Sequence, residues 1–332
     1  MTVFHNSVIA EIGSVHDGSF GNACKLIALA AELGADWAKF QTHIAEAETL
    51  ANAPSPAYFR GEPRMEYFRR TGFSLEQWRG LKTKATEAKI NFLSSPFSLE
   101  AVDLLEAVGV DAYKIPSGEV TNLPLLERVA ATRKPTLLSS GMSDWAELDR
   151  AVAALRPGGP LIIMQCTSAY PCPPDSWGLN VIGEMSQRYR LPVGFSDHSV
   201  GLAAPIAAAA LGAVCIEKHL TFSKKMYGSD AANAMEPEGF AAMVDGLHET
   251  WTAFGSPVNK DDMSAFADMK RIFEKSIVSA RALDAGAILK FEDLAFKKPG
   301  DGISATRFKE VIGKQVRQQL PADHKFTEKD FK

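Results

Sequence analysis

Between Val8 and Thr221 the chain carries eight short apolar runs, and each turns polar at its C-terminal end. They begin near Val8 (VIAEIG), Trp37 (WAKFQTH), Asn91 (NFLSSP), Ala112 (AYKIPS), Thr136 (TLLSSG), Leu161 (LIIMQCTS), Pro192 (PVGFSDHS) and Ala213 (AVCIEKHLT). Their length and β-branched content read as strands, and amphipathic stretches between them, such as NACKLIALAAELGA and LDRAVAALRPGG, read as helices. Near-continuous apolar strands with helical crossovers predict a parallel sheet covered on both faces. Eight such units closing on themselves predict a (β/α)8 TIM barrel, with a doubly wound open sheet as the alternative.

The chain has 332 residues, more than the roughly 250 typical of one such barrel. A helix is expected from Pro237 to Phe254. Beyond Lys275 the pattern changes to short strands and Gly turns, with no long helix before ATRFKEVIG. The expected organisation is a barrel over 1–258, a linker over 259–274, and a small mostly-β module over 275–332. A module of that size is marginal alone and should dock onto something. The connection from Thr42 to Phe73, with Pro54, Pro56, Gly61 and Pro63, is long for a βα loop.

Composition excludes several classes. The formal net charge is -4 and no basic run stands out, which argues against nucleic-acid or anionic-lipid partners. Four scattered cysteines do not make a disulfide framework. No apolar run reaches the roughly 18 residues of a membrane span. The start of the sequence lacks signal-peptide character, so a cytoplasmic setting is expected.

In a barrel the C-terminal strand ends meet at one mouth, where active sites are built. The endings here are Glu11, Lys39 with Gln41, Ser94 with Ser95, Lys114 with Ser117, Ser139 with Ser140, Gln165 with Thr167, Ser196 with His198, and Glu217 with His219. Two lysines converging with several hydroxyls suit a phosphate or carboxylate. His198 and His219 end neighbouring strands, which lie roughly 5 Å apart, so they can share one divalent ion. Two imidazoles, completed by water and substrate oxygens, suit Mn2+ or Mg2+. Asp197 and Glu217 beside them could orient the rings. Glu11, Glu119 and Glu217 are acid/base candidates, Cys166 and Cys172 read as buried small hydrophobes, and KKPGDG reads as a turn.

The segments IAEIGSVHDG, ADWAKFQTH, LSSPFS, AYKIPSGE, TLLSSGM, QCTSAYPCP, GFSDHSVG and IEKHLT occur in the order found in sialic acid synthases. Over nearly its whole length the sequence resembles that family of phosphoenolpyruvate-dependent nonulosonate synthases. The tail KSIVSARALDAGAILKFEDLAFKKPGDG looks like the family's C-terminal antifreeze-like (SAF) domain.

The resemblance implies condensation of phosphoenolpyruvate with an open-chain aldose, N-acetylmannosamine or a related amino sugar, to give a nonulosonic acid and phosphate. Legionaminic, pseudaminic or spore-coat polysaccharide precursors are the alternative products. It places Lys39, Ser95, Lys114, Ser117, Ser139, Ser168 and Ser196 at phosphoenolpyruvate-binding positions. Phe97, Glu119, Tyr170, Asp230 and Lys298 fall on the sugar side, Glu11 and Glu217 at the reacting water or hydroxyls, and the metal on His198 and His219. It further implies a domain-swapped homodimer in which the small domain caps the partner's barrel. Ser168 stands where the family has Asn, and Lys298 where it has Arg. A Schiff-base aldolase using Lys114 or Lys39 is the rival enzymatic reading, and a carbohydrate-binding protein presented by the C-terminal module the non-catalytic one.

Overall fold

The computed structural model describes residues 3–54, 62–228 and 230–332. The chain divides into two compact units, Met1–Ser256 and Pro257–Lys332. In the first, eight parallel strands pair in sequence order: β1 (Ser7–Gly13), β2 (Trp37–Thr42), β3 (Asn91–Pro96), β4 (Ala112–Ile115), β5 (Thr136–Ser139), β6 (Leu161–Cys166), β7 (Val193–Asp197) and β8 (Cys215–His219). β8 pairs back onto β1, with Glu11 opposite His219, so the sheet is closed. An open doubly wound sheet is therefore excluded: no strand is left at an edge.

The alternation of side chains along a strand decides what this closure encloses. One parity (Ile9, Trp37, Leu93, Ala112, Leu137, Ile162, Met164, Cys215) packs with Phe4 into a cluster inside the barrel. Phe4 stacks on Trp37 at 4.3 Å, filling the N-terminal end. The opposite parity, including Val8, Phe40, Phe92, Tyr113, Leu138, Ile163 and Ile216, packs against the helices. Ser19, Ser74, Ser98 and Asp144 start helices by accepting backbone N–H bonds, and Ser74 and Asp144 form reciprocal boxes with Gln77 and Glu147.

The connection after β2 is not featureless: it holds the helices Ala45–Glu48 and Arg64–Thr71. Pro56 and Gly61 lie outside the described residues. The helix after β8 runs Pro237–Gly255.

In the second unit β9 (Ser276–Ser279) pairs antiparallel with β10 (Leu294–Lys297), around a core that includes Ile277, Leu283, Val316 and Phe326. The segment expected to be a plain linker carries the helix Ala267–Phe273. Among the described residues no helix is long and apolar enough to cross a membrane.

Candidate active site

The inward parity that buries Ile9, Trp37, Leu93, Ala112, Leu137, Met164 and Cys215 continues, two residues on, as Glu11, Lys39, Ser95, Lys114, Ser139, Cys166 and Glu217. Ser196 joins them from β7, and all eight line one small inner chamber of about 60 Å3. The polar strand endings therefore split in two. Ser94, Ser140 and Gln165 have the outward parity and bond to their neighbours: Ser94 with Thr42 at 2.7 Å, Ser140 with Gln165 at 3.3 Å.

Charges inside the inner chamber are paired. Lys114 Nζ lies 2.6 Å from Glu217, and Lys39 Nζ lies 2.7 Å from Glu11 and 3.3 Å from Glu217. Gln41 Nε2 donates to Glu11 at 2.7 Å and Ser196 Oγ to Glu217 at 3.3 Å. Burial raises the proton affinity of Glu11 more than Lys39 lowers it, and Glu217 adds to the rise. At Glu217 burial acts the same way but is outweighed by Lys114 and Lys39, which hold it well below the usual carboxylate range. Burial opposes charge on Lys39, yet Glu11 and Glu217 lift it above the usual lysine value. Two carboxyls pushed apart in this way suit different roles, one exchanging a proton and the other staying ionised.

The hydroxyls form the opposite wall. Ser117 and Ser139 Oγ are 2.9 Å apart, while the buried Ser95 Oγ has no hydrogen-bond partner. At Gly141 a Cβ would collide with the hydroxyls of both Ser117 and Ser168. A glycine there keeps open a cradle rimmed by donors. An unused buried donor beside lysines invites an anion's oxygens, since leaving it unbonded costs free energy.

His198 and His219 meet at the rim, ring centres 5.7 Å apart. His198 Nδ1 lies 2.8 Å from the Thr167 carbonyl oxygen; that contact places the proton on Nδ1 and leaves Nε2 as a free donor atom. His219 Nδ1 is buried without a hydrogen-bond partner. Burial lowers the His219 pKa to about 4, so the ring is neutral, the form that ligates metals. The donor set thus fits a cation. Among the described residues no group of three or more His, Cys, Asp or Glu is arranged to hold a metal, so a cation here would have at most these two imidazoles from such residues.

A wider outer chamber of about 460 Å3 sits against the inner one, and Gln41, Pro116, Ser117, Tyr170 and His219 line both. Its wall also includes Phe97, Ser168 and Asp230. Tyr170 packs on His198 at 4.0 Å. Asp230 accepts from the Ser14 backbone N–H at 3.1 Å and hydroxyl at 2.9 Å. That approach needs Gly13 at φ +53°, where a Cβ would stand 2.6 Å from the Asp230 carboxylate.

One expected residue lines neither chamber: Glu119, whose carboxylate accepts from Asn122 at 2.7 Å. Lys298, expected at a partner's sugar side, lies in the second unit with its ammonium 4.8 Å over the Phe273 ring.

Sequence reasoning also missed contributors. Cys166 was expected to be a buried filler. It does lie buried, but in the inner chamber, 4.0 Å from His198 Nδ1; burial pushes its thiol pKa up, and His198, Lys114 and Ser139 together bring it down to about 7. Its parity with Met164 is the signal that could have found it. Arg64, Tyr67 and Phe68 reach the outer chamber from the helix after β2, with His43 beside them; no strand period points to these.

Comparison with known proteins places the chain. The model of the NeuB family matches residues 26–259, and that of the SAF domain residues 274–332. The chain belongs to the NeuB family. Among relatives of this member, the N,N'-diacetyllegionaminic acid synthase of Campylobacter jejuni is 34% identical, with 95% of this chain and 97% of that protein covered. The human N-acetylneuraminate-9-phosphate synthase is also 34% identical, over 87% of this chain and 82% of its own. The crystal structure of the N-acetylneuraminic acid (sialic acid) synthetase of Leptospira borgpetersenii superposes with a TM-score of 0.71 at 28% identity, covering 81% of this chain and 91% of that one. The relatives of this NeuB-family chain are thus synthases of nonulosonic acids, and the barrel and SAF-domain expectations hold.

Proposed function

We propose that the chain condenses phosphoenolpyruvate with an open-chain amino sugar aldehyde, giving a 3-deoxy-2-keto nonulosonic acid and inorganic phosphate. The observation that carries this reading is the pair of joined chambers. The inner has the lysines and the hydroxyls, the Ser95 hydroxyl among them without a partner, that a small phosphorylated carboxylate requires. The outer has the aromatic and polar mixture that suits a sugar.

In this reading Lys39 and Lys114 bind the two anionic groups of phosphoenolpyruvate, with Ser95, Ser117, Ser139, Ser168 and Ser196 donating to their oxygens. The acceptor occupies the outer chamber against Phe97, Tyr170 and Asp230, its aldehyde end toward His219. A divalent cation such as Mn2+ or Mg2+, held by His198 and His219, would supply Lewis-acid polarisation of the aldehyde oxygen. Carbon 3 of phosphoenolpyruvate attacks the aldehyde carbon, water adds at carbon 2, and the tetrahedral intermediate expels phosphate. Glu11, with its raised proton affinity, takes the proton from the attacking water. Glu217 stays ionised and stabilises positive charge developing at carbon 2. The ion-paired, strongly basic Lys39 is a poor amine nucleophile, which disfavours Lys39 as the Schiff-base lysine.

The test is phosphate release from phosphoenolpyruvate across N-acetylmannosamine, mannose and diacetamido hexoses, with and without metal. Release that requires both an acceptor and a cation is expected. His219→Ala should cut it about 100-fold or more and weaken Mn2+ binding measured by electron paramagnetic resonance. Full metal-dependent activity in that variant would remove the two-histidine site.

A further inference from the structure

The outer chamber is lined by a cation that, among the described residues, takes part in no ion pair. Arg64 lines it from the first residue of the helix Arg64–Thr71. Its guanidinium carbon lies 5.3 Å from the centre of the Phe68 ring. Among the described residues no carboxylate stands within ion-pair reach of it. Its neighbours on the same helix behave otherwise: Arg69 pairs with Glu46 at 2.5 Å, and Arg70 with Glu62 at 2.7 Å and Asp17 at 2.8 Å.

Arg64 is also held in place. Phe68 stacks on His43 at 3.8 Å, and His43 on Phe97 at 4.1 Å. His43 Nδ1 is fixed by Glu48 at 2.9 Å, and its Nε2 lies 3.3 Å from Gln41, which donates to Glu11 at 2.7 Å. One continuous wall therefore runs from Glu11, opposite His219 in the strand register, to Arg64. Arg64 stands at the other end of that wall from Glu11. Stacking on Phe68 restrains the guanidinium plane while leaving its N–H fork available, the arrangement suited to two oxygens of one oxyanion.

We infer that Arg64 is an oxyanion subsite for the acceptor, and that the acceptor carries a phosphate or carboxylate at the end remote from its aldehyde. This rests on the synthase reading above. A neutral acceptor leaves the fork facing solvent or hydroxyls; a terminal oxyanion gains a charge-assisted pair of hydrogen bonds.

The experiment compares kcat/KM, at fixed phosphoenolpyruvate and metal, for three forms of an N-acyl hexosamine: neutral, with a terminal phosphate, and with a terminal carboxylate. An anionic form should exceed the neutral one by about tenfold or more, and the better of the two names the group. Arg64→Gln should reduce that anionic-to-neutral ratio by about the same factor. Arg64→Lys should keep part of it, because the charge remains and the fork is lost, and it gives the same readout if the glutamine variant does not fold. A neutral acceptor used equally well or better, or a ratio unchanged in both variants, overturns the subsite and leaves the synthase standing. No phosphate release with any of the three, nor with the wider acceptor panel, removes the synthase reading and the subsite together.

Discussion

At the scale of single residues, the site is made by what is missing as much as by what is present. Gly141 has no Cβ, so the hydroxyls of Ser117 and Ser168 flank an open space. Gly141→Ala puts a methyl there without forcing the backbone into an unusual φ. Overpacking of this kind costs about 1–3 kcal/mol of stability, and the methyl occupies anion space, so thermal stability should fall and KM for phosphoenolpyruvate should rise about ten- to hundredfold. His16 gives a pH signature of its own. It is buried beside Phe73, 4.6 Å between ring centres, and accepts from the Gly18 N–H at 3.1 Å. Burial lowers its pKa from 6.5 to about 4. Between those values the unfolded chain binds the proton and the folded one refuses it. Stability should therefore fall as pH drops from about 6.5 to about 4, by about 3 kcal/mol. Urea midpoints measured at pH 7 and pH 5 should converge in His16→Asn, which keeps the acceptor and removes the titration. The inner-chamber residues were readable in the sequence because strand parity carries them: whatever stands two residues beyond a buried inward residue faces the mouth. Parity says nothing of Glu119, which lies past the strand end in the turn Ser117–Glu119. Arg64 was unreadable because only tertiary folding brings its helix over the barrel.

At the scale of elements, β7 and β8 hold the two histidines, and a second ion pair ties these strands together on the other parity. Asp197 and Lys218 stand opposite each other in the register and are buried, and the Lys218 ammonium contacts both Asp197 and the Ser199 carbonyl. Asp197 also accepts from the Ser199 N–H at 2.8 Å and hydroxyl at 2.9 Å. Lys218→Met leaves that carboxylate buried without its cation, and a loss of about 3–5 kcal/mol is expected by chemical denaturation. Adding Asp197→Asn removes the stranded charge but keeps an acceptor for Ser199, and should recover most of the loss. In the sequence Asp197 reads as a partner of the histidine rings; closing the barrel turns it outward instead. The eight strand positions were readable to within two residues because each run is apolar on both faces. The helices between β2 and β3 were not, because proline-rich composition hides short helices that gain their stability from packing on the barrel.

At the scale of the whole molecule, several large apolar side chains remain exposed around the junction of the two units. Phe254, Val258, Phe266, Met269, Ile272 and Phe273 are each more than half exposed, from 51% at Ile272 to 77% at Val258. A run of this size calls for a cover, and the domain-swapped homodimer that the family resemblance implies would supply one. Light scattering should give twice the chain mass. Met269→Glu with Ile272→Glu should shift it toward the single-chain mass and reduce phosphate release. That implied dimer is also where Lys298 would meet a partner's sugar side. The pattern change near Lys275 announced a separate module, but its partner surface could not be read from one chain's periodicity.

The nesting of the chambers has a consequence for traffic. The inner one abuts the outer, and the barrel below it is filled by Phe4, Trp37 and their neighbours. Whatever settles deepest must arrive first, and cannot leave while the outer room is occupied. If the proposed synthase reading holds, the fold imposes a queue: the anion would enter first, the sugar would close the door behind it, and departure would run in the reverse order.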